Sequence, residues 1–356
     1  YAFFASKHQG DWDKSFARKF MKMHNLPIPK YKVFKSQKSA MDYLKKQKPK
    51  EFFIKASGLV AGKGAIYAGN KKEAIDAVKQ MTKFGQSGKT FLIEEKLTGE
   101  EYSAFAITSG RNFQILGYAQ DHKAVFDGDR GPNTGGMGCT SAPRCVTPDI
   151  KSQTEKIIRK TLNGLIKLKR PYVGILYLGG MIVGGKVYII EYNARWGEPE
   201  AQVVLPSIKN DYFNLINQAL ESYSQKNRKV KKIKLEKDKL YRVVVTAAAK
   251  GYPGDSSKVV GKEIKGFRKL LDNKKIQTYG TRVHIEDGKF ISGGSRLFYV
   301  MAEGKDVARA RKIAYNALSH VSIEGGNLHY RTDIGYRDLQ RLNNGRSKTK
   351  DLSNRR

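Results

Sequence analysis

Charged residues and glycines alternate between positions 121 and 138, where the sequence reads DHKAVFDGDRGPNTGGMG. The segment has neither the helical nor the strand period of apolar residues, so we predict a loop rather than a packed element. Long ordered loops in compact domains usually carry function. Its glycines permit close backbone approach, and its charged side chains suit a small polar substrate or a phosphate. These side chains are Asp121, His122, Lys123, Asp127 and Asp129. A solvated linker is the alternative interpretation.

A second glycine-rich stretch, residues 55–64, follows a predicted strand and ends in Gly62, Lys63 and Gly64. Glycine amides can surround a phosphate while Lys55 and Lys63 neutralise its charge. The stretch does not match the Walker pattern, in which Ser or Thr directly follows the lysine. A glycine-rich hairpin with surface lysines would explain the same residues.

Acidic segments follow two other predicted strands. Backbone groups within residues 94–101 could bind an adenine edge, and an acidic side chain there could accept from ribose hydroxyls, although a charged turn is the alternative. Glu191 and Asn193 lie two positions apart at a strand end, so both oxygens project from one face, as Mg²⁺ prefers beside a nucleotide phosphate. Arg195 could reach that face and hold an anionic substrate. A solvated strand end is the alternative, but the two phosphate-type loops upstream favour a metal site.

Helical and strand patterns alternate around these motifs, which is typical of α/β and α+β proteins. Amphipathic helices are predicted over residues 13–24, 37–47, 71–84, 154–169, 211–223 and 305–319. Strands are predicted over residues 31–34, 51–55, 90–94, 173–181 and 187–192, with a hairpin over 102–118. In the helix over 211–223 we expect the apolar stripe of Tyr212, Leu215, Ile216 and Leu220 to be core. Residues 224–239 form a predicted linker, and residues from about 343 are predicted to be disordered.

Composition sets outer limits on the function. The 356 residues allow two or three domains, and no apolar run is long enough to span a membrane. The net charge of +34 would ordinarily indicate nucleic acid, but the excess is dispersed along the chain, so we expect only non-specific binding of that kind. Two cysteines cannot build a disulfide framework, and no secretion signal is present, so we expect a cytoplasmic protein.

In this order, the motifs closely resemble those of the phosphoribosylamine–glycine ligases, which belong to the ATP-grasp superfamily. Residues 120–138 match the family's Gln-Asp-His-Lys followed by Asp-Gly-Asp-x-Gly-Pro-Asn-Thr-Gly-Gly-Met-Gly, and this is the most specific agreement. Residues 55–64 resemble its glycine loop, and residues 191–202 resemble its metal strand. Residues 330–335 resemble a motif of its last domain. Departures from the family pattern are Ser57 for Asp, Trp196 for Phe and Glu198 for Asp.

The resemblance implies an α+β ATP-grasp fold, in which two α+β subdomains grip ATP, together with a smaller C-terminal α+β domain. It implies a helical lead-in over 1–28 that follows a first domain outside this sequence. It further implies a lid subdomain over 29–93, a central subdomain over 94–230, a C-terminal domain over 240–340 and a polar tail over 341–356.

The resemblance also implies a reaction, in which ATP drives ligation of glycine to 5-phosphoribosylamine through glycyl phosphate, with Mg²⁺ or Mn²⁺, in a monomeric enzyme. The residues implied to bind ATP are Lys55, Gly62, Lys63, Gly64, Glu94, Glu95, Leu97 and Glu101. Glu191 and Asn193 are the implied metal ligands, and Asp121, Lys123 and Arg195 the implied catalytic residues. The implied substrate-binding residues are His122, Asp127, Asn133, Thr134, Gly135 and Gly136.

Two other functions are weighed against this one. A different ATP-grasp carboxylate–amine ligase should lack the loop over 121–138, which is present. A degenerate ATP-grasp protein with a basic, nucleic-acid-binding surface would be free to lose Lys63, Glu191 or Asn193, and all three are present. A catalytic pair of Cys139 and His122 is not required, because ligation through an acyl phosphate needs no nucleophilic side chain.

Overall fold

The computed structural model describes residues 13–48, 50–58, 60, 64–224 and 233–353, and the side chains within these ranges up to residue 344. Strands of the described residues pair antiparallel throughout, in a four-stranded sheet, a nine-stranded sheet and small two-stranded ribbons. This mixture of helices and antiparallel sheets confirms the predicted α+β class. In the described part of the chain, no helix is both long and apolar enough to cross a membrane.

The smaller sheet has the strand order β1-β4-β2-β3. One helix precedes the strands of this sheet, and three helices lie between them in the sequence. In chain order these elements are α1 (Lys14–Met23), β1 (Tyr31–Phe34), α2 (Gln37–Lys45), β2 (Phe52–Ala56), β3 (Ala65–Ala68), α3 (Lys71–Gln80), α4 (Gln86–Lys89) and β4 (Phe91–Glu95). Residues of β2 alternate between buried and half-buried positions, because successive side chains of a strand point to opposite faces. Phe52 and Ile54 therefore pack on Leu44 of α2 and Val78 of α3 in one apolar core.

The central part of the chain supplies the longer strands. Its elements are β5 (Glu100–Ser109), β6 (Asn112–Asp121), β7 (Ala124–Phe126), β8 (Arg130–Asn133), β9 (Gly138–Ser141), α5 (Pro148–Lys167), β10 (Val173–Val183), β11 (Lys186–Asn193), α6 (Ala201–Val204) and α7 (Tyr212–Ser224). The helices α1 and α5 cover one face of β5, β10 and β11, where Phe20, Ile158 and Ile189 share a core. This packing fixes β11, the strand of the predicted metal ligands.

The remaining elements are β12 (Tyr241–Ala249), β13 (Ile264–Lys265), α8 (Phe267–Leu271), β14 (Ile276–Gly280), β15 (Val283–Glu286), β16 (Lys289–Ser292), β17 (Arg296–Gly304), α9 (Val307–Leu318), β18 (Ser322–Ile323), β19 (Leu328–His329) and α10 (Tyr336–Ser353). Strands β12, β14, β17 and β19 join the central strands in one sheet with the order β11-β10-β5-β6-β9-β12-β17-β14 and β19 beside β12, whereas β13 pairs with β18 and β15 with β16 in separate ribbons. The short strand β9 joins the central strands to those of the C-terminal part of the chain, because it pairs with β6 on one side and with β12 on the other. Our domain boundaries stay predictions.

Most predicted elements are present with bounds shifted by a few residues, and the strand over 31–34 agrees in full. Four expectations were wrong. The segment 121–138 is not without strands, because β7 and β8 form a small hairpin inside it. The helix predicted from 154 begins at Pro148, where Thr147 caps it. Ile216 and Leu220 of the predicted core stripe are exposed, and α10 occupies much of the segment predicted to be disordered. Residues 225–232 of the predicted linker lie outside the described residues.

Candidate active site

A buried cluster of charges lies between the two sheets, centred on the Glu94 carboxylate of β4. Arg18 of α1 donates to it at 2.6 Å and 3.0 Å, and the Nζ of Lys55, from β2, lies 2.6 Å from its Oε2. Burial opposes ionisation, but the charges of Arg18 and Lys55 outweigh it and lower the pKa of Glu94 to about 2. Arg18 also donates to the carbonyls of Ile189 and Ile190, so that it links the smaller sheet to β11.

Lys14 is a member of this cluster that the sequence analysis did not assign to the site. It is the first residue of α1, directly after Asp13, whose carboxylate caps the helix by accepting from the amides of Ser15 and Phe16. Burial lowers the pKa of Lys14, and the nearby Glu191 carboxylate opposes this shift. Lys14, Lys55, Glu94 and Glu191 line one cleft. The capping pattern at Asp13 indicates which lysine begins the helix but not that this lysine faces a cleft.

The predicted glycine loop is described only in part. Gly62 and Lys63 lie outside the described residues. The carbonyl of Gly64 accepts from the amide of Ala56 at 2.8 Å, which closes the base of the loop. Ser57, at a position where the family usually has Asp, donates from its hydroxyl to Asp13 at 2.6 Å. The loop is therefore attached to the start of α1, beside Lys14.

The predicted adenine hinge follows β4. The amide of Glu95 donates to the carbonyl of Lys30 at 3.0 Å, and the amide of Lys96 donates to that of Glu51 at 3.1 Å. Both amides are therefore used within the protein, and Leu97 follows them. Glu101 lies exposed near the start of β5 and lines a second cleft with Glu191.

The predicted metal ligands lie together at the end of β11. The amide Nδ2 of Asn193 donates to Oε1 of Glu191 at 3.2 Å, so the two side chains share one face of the strand. Glu191 is opposite Gly179 of β10, where a Cβ would lie 3.3 Å from its Cγ. Among the described residues, no three His, Cys, Asp or Glu side chains come together as a ready metal site. A carboxylate beside an amide oxygen nevertheless fits Mg²⁺, which binds few protein oxygens and completes its shell with phosphates and water.

The second cleft contains an ion pair between the first and third residues of the 121–138 loop. Lys123 Nζ lies 2.8 Å from Oδ2 of Asp121. Burial raises the pKa of Asp121 to about 7, and Lys123 offsets only part of this effect. The Oδ1 atom of Asp121 is buried without a hydrogen-bond partner among the described residues. It therefore has the capacity to accept a hydrogen bond from a ligand.

Two further features surround this pair. Glu200, which we had not assigned to the site, is buried and accepts from Ser103 at 3.1 Å and from Tyr177 at 2.9 Å. Gly136 crosses the top of the pair with φ of +114°, and a Cβ there would lie 2.9 Å from Oδ1 of Asp121 and 2.4 Å from Pro199. Only glycine permits this close approach of the loop to the carboxylate.

The rest of the loop is bound to the C-terminal part of the chain rather than exposed in the cleft. The ring of His122 is buried, and its Nε2 accepts from the amide of Gly335 at 3.0 Å. Asp127 accepts from the amide of Thr332 at 2.9 Å. Asn133 is exposed at the end of β8, and Thr134 donates from both amide and hydroxyl to the carbonyl of Lys123 at 2.8 Å. Their assignment to substrate stays a prediction.

Gly135 and Arg195 lie outside the second cleft. The carbonyl of Gly135 accepts from Arg296 at 2.8 Å, and its amide donates to the hydroxyl of Tyr252 at 2.9 Å. Arg195 is exposed, and it donates to the backbone carbonyl of Trp196 at 2.7 Å. Glu198, another departure from the family pattern, accepts from the hydroxyl of Tyr299. The structure thus brings together Asp121, Lys123 and Glu191 but leaves Arg195 on the surface.

Comparison with known proteins agrees with this geometry. Residues 12–201 match the family model for the ATP-grasp (A) domain of phosphoribosylglycinamide synthetase, and residues 242–337 match the model for its C domain. The chain belongs to the phosphoribosylglycinamide synthetase family. It is 37% identical over 331 residues to a phosphoribosylamine–glycine ligase of Clostridium acetobutylicum, with 92% of this chain and 76% of the relative covered. The predicted family is therefore confirmed.

Other relatives extend the comparison. The chain is 35% identical over 349 residues to the trifunctional purine biosynthetic protein adenosine-3 of Bos taurus, with 97% of this chain covered. It spans about a third of the length, 34%, of that relative. Among solved structures, the phosphoribosylamine–glycine ligase of Thermotoga maritima is similar, with a TM-score of 0.78, 33% identity, and 91% of this chain and 78% of that chain covered. These similarities confirm the ATP-grasp fold with a C-terminal domain.

Proposed function

We propose that the protein ligates glycine to 5-phosphoribosylamine with hydrolysis of ATP, forming glycinamide ribonucleotide, ADP and phosphate in purine biosynthesis. The printed names of its relatives support this reaction. The observation that carries it is the position of Glu191, which lines both the cleft of Lys14, Lys55 and Glu94 and the cleft of Asp121 and Lys123. A residue suited to a metal beside the phosphates of a nucleotide thus stands between a cationic cluster and the ion pair of Asp121 and Lys123.

In the proposed first step, a carboxylate oxygen of glycine attacks the γ-phosphorus of ATP. The bond from that phosphorus to the β–γ bridging oxygen breaks, which yields glycyl phosphate and ADP. Repulsion between the glycine carboxylate and the nucleotide opposes this step, so cations must reduce that repulsion. Lys14, Lys55 and Lys63 are proposed to offset the phosphate charge, and the Lys123 ammonium is proposed to hold the glycine carboxylate.

In the proposed second step, the amine nitrogen of phosphoribosylamine attacks the acyl carbon of glycyl phosphate. The carbon–oxygen bond to phosphate breaks, phosphate leaves with the electron pair, and the nitrogen loses one proton. Asp121 is suited to accept that proton, because its pKa of about 7 leaves a fraction ionised at neutral pH and its Oδ1 has no hydrogen-bond partner among the described residues. Alignment of the two reactants supplies much of the rate in such a reaction.

Glu191 and Asn193 are the proposed ligands of Mg²⁺, with Mn²⁺ as the alternative ion. When bound, this ion offsets negative charge on the β- and γ-phosphates. At the end of β11, Glu191 and Asn193 would hold this ion beside the cleft that Lys14 and Lys55 line. Contacts to adenine are proposed at Leu97 rather than at the amides of Glu95 and Lys96, which donate within the protein.

Glu101 is proposed to bind ribose, since it lines the same cleft as Glu191. Asn133, Thr134, Gly135 and Gly136 are proposed to shape the substrate side of that cleft, through the loop that covers Asp121. A monomeric state, a cytoplasmic location and the division into lid, central and C-terminal parts belong to the same proposal. Non-specific binding of nucleic acid by the basic surface is the alternative function, favoured only by the net charge of +34.

The test is ADP formation by the full-length protein with Mg²⁺, with glycine and phosphoribosylamine supplied separately and together. We expect release of ADP only when both are present, and loss of that release in Glu191→Ala. A matched control is Glu221→Ala, which removes an exposed carboxylate of α7. ATP binding without turnover in the wild type, together with strongly salt-dependent binding of DNA, would instead favour the nucleic-acid alternative.

A further inference from the structure

The hairpin at the centre of the 121–138 loop, residues 124–133, packs Val125 against Ala248 of β12 and accepts or donates several hydrogen bonds with one segment near the end of the C-terminal part of the chain. We name residues 329–337 the clasp segment. His329 Nε2 lies 2.9 Å from the carbonyl of Val125, and Asp333 accepts from the amide of Gly128 at 2.8 Å. The hydroxyl of Tyr336 donates to Asp129 at 2.8 Å. More than 200 residues of sequence separate the two partners in each contact, so the folded C-terminal part is needed to make them.

Arg331 is the centre of the clasp segment. Its side chain is fully buried, and its Nε and Nη2 each donate to Asp333 at 2.7 Å. Its Nη1 donates to Asp129 at 2.9 Å and to the backbone carbonyl of Ala124 at 3.1 Å. One planar guanidinium therefore joins the clasp segment to the first strand and the turn of the hairpin, a geometry that the point charge of lysine cannot reproduce.

Ala124, whose carbonyl accepts the hydrogen bond from Arg331, directly follows Lys123, the cation of the second cleft. The backbone carbonyl of Lys123 accepts from the amide of Thr134 at 2.8 Å, and the amide of Met137 donates to the carbonyl of His122 at 2.8 Å. These bonds close the stem of the loop directly below the hairpin. A displacement of the hairpin would therefore move Lys123 and the partner that it pairs with, Asp121.

We propose that Arg331 is a positioning residue, which fixes the hairpin so that Lys123 and Asp121 are held at the substrate cleft. The role of the cleft in binding glycine and the amine rests on the proposed function. Arg331 lines neither described cleft, so its effect acts through the loop. A displacement of about 1 Å at reacting groups costs on the order of 100-fold in rate, which sets the expected scale.

The chain offers a matched control in Arg242. That side chain is also buried, and it donates to both oxygens of Asp238 at 2.8 Å and 2.7 Å and to Glu303 at 2.7 Å, away from the loop. We compare Arg331→Lys with Arg242→Lys in the full-length protein. We expect Arg331→Lys to lower kcat/KM for glycine by about 10- to 100-fold, with KM for ATP changed less than about twofold. Arg242→Lys should change neither value by more than about twofold, since its partners do not touch the loop.

Amide hydrogen exchange gives a second readout, which does not depend on the substrates. We expect exchange within residues 124–133 to be faster in Arg331→Lys than in the wild type or Arg242→Lys. If Arg331→Lys does not fold, the combination of Thr332→Val and Arg337→Ala replaces it, since this removes side-chain contacts to Asp127 and Asp129.

Equal effects of the Arg331 and Arg242 substitutions on glycine kinetics and on loop exchange would overturn the proposal. A wild-type protein that releases no ADP with glycine and the amine would refute the proposed function instead. In that case faster loop exchange in Arg331→Lys alone would still support the positioning role, and unchanged exchange would refute it as well.

Discussion

The two clefts that meet at Glu191 hold buried carboxylates in opposite states. Glu94 has two cationic partners, Arg18 and Lys55, which overcome the cost of burial and keep its pKa at about 2. Asp121 has one, Lys123, and burial prevails, so its pKa rises to about 7. The charges around Asp121 also include the carboxylates of Glu200 and Glu101, which raise its pKa further, so the balance of neighbouring charges decides whether a buried carboxylate is a permanent charge or a proton carrier. The first state suits binding of a nucleotide, and the second suits chemistry at an amine.

The largest expected effect is on the stability of the protein and comes from Glu94, the permanently charged carboxylate. Glu94→Gln should lower the free energy of unfolding by about 3–5 kcal/mol, because it leaves Arg18 and Lys55 close together without their shared carboxylate. Urea unfolding at pH 7 measures this value. Asp76→Asn, which removes the partner of Lys79 in an exposed pair, is the control and should cost less than about 1 kcal/mol.

The pH dependence of that stability has a defined sign. The pKa of Glu94 is lower in the folded protein than its ordinary value of 4.5, so its stabilisation is complete above pH 4.5 and is lost as pH falls towards 2. The difference between wild type and Glu94→Gln should therefore shrink over this window. A difference that stays constant between pH 5 and pH 3 would contradict the assignment of Glu94 as the ionised centre.

In the second cleft, Lys123→Met should lower kcat for ADP formation on the order of 100-fold, because it removes a cation that the ion pair with Asp121 holds in place. The substitution should also raise the pKa of Asp121 further, because Lys123 is the group that favours its ionised form. Steady-state kinetics between pH 6 and 9 measures both effects. Lys269→Met, which removes an exposed lysine of α8, is the control, and a similar loss there would refute the specific role of Lys123.

Asp121 makes the opposite prediction to Glu94 for stability. Its folded pKa of about 7 lies above its ordinary value of 3.8, so the folded state binds more protons and loses stability as pH rises between these values. We expect a loss of about 2 kcal/mol from this group between pH 5 and pH 7. Asp121→Asn should remove that loss, which urea unfolding at the two pH values measures. An unchanged slope in the variant would show that Asp121 is ionised throughout, like Glu94.

The comparison also shows how far the sequence reaches. Alternation and glycine spacing predicted the strands that carry Lys55, Glu94 and Glu191, because period-2 burial and turn residues are local properties. They could not predict that Arg18 and Lys14 of α1 line the cleft of Lys55 and Glu94, since this depends on how the helix packs between two sheets. Nor could they predict the clasp segment, whose contacts to the loop join residues more than 200 positions apart. Arg195 is the opposite case, a predicted site residue that the structure does not place in the cleft. Its spacing from Asn193 indicated that both side chains share one face, but the structure leaves Arg195 exposed.

Arg195 gives the smallest expected effect and separates sequence spacing from folded position. If the exposed position persists with substrates bound, Arg195→Ala should lower kcat/KM by less than about tenfold, equivalent to under 1.4 kcal/mol of transition-state stabilisation. The same kinetics as for Lys123→Met measure it, with Arg111→Ala as a control that removes another exposed arginine, in the turn between β5 and β6. A loss near 100-fold would mean that the segment after β11 folds over the substrates. The cation predicted from spacing alone would then join Lys123 at the second cleft.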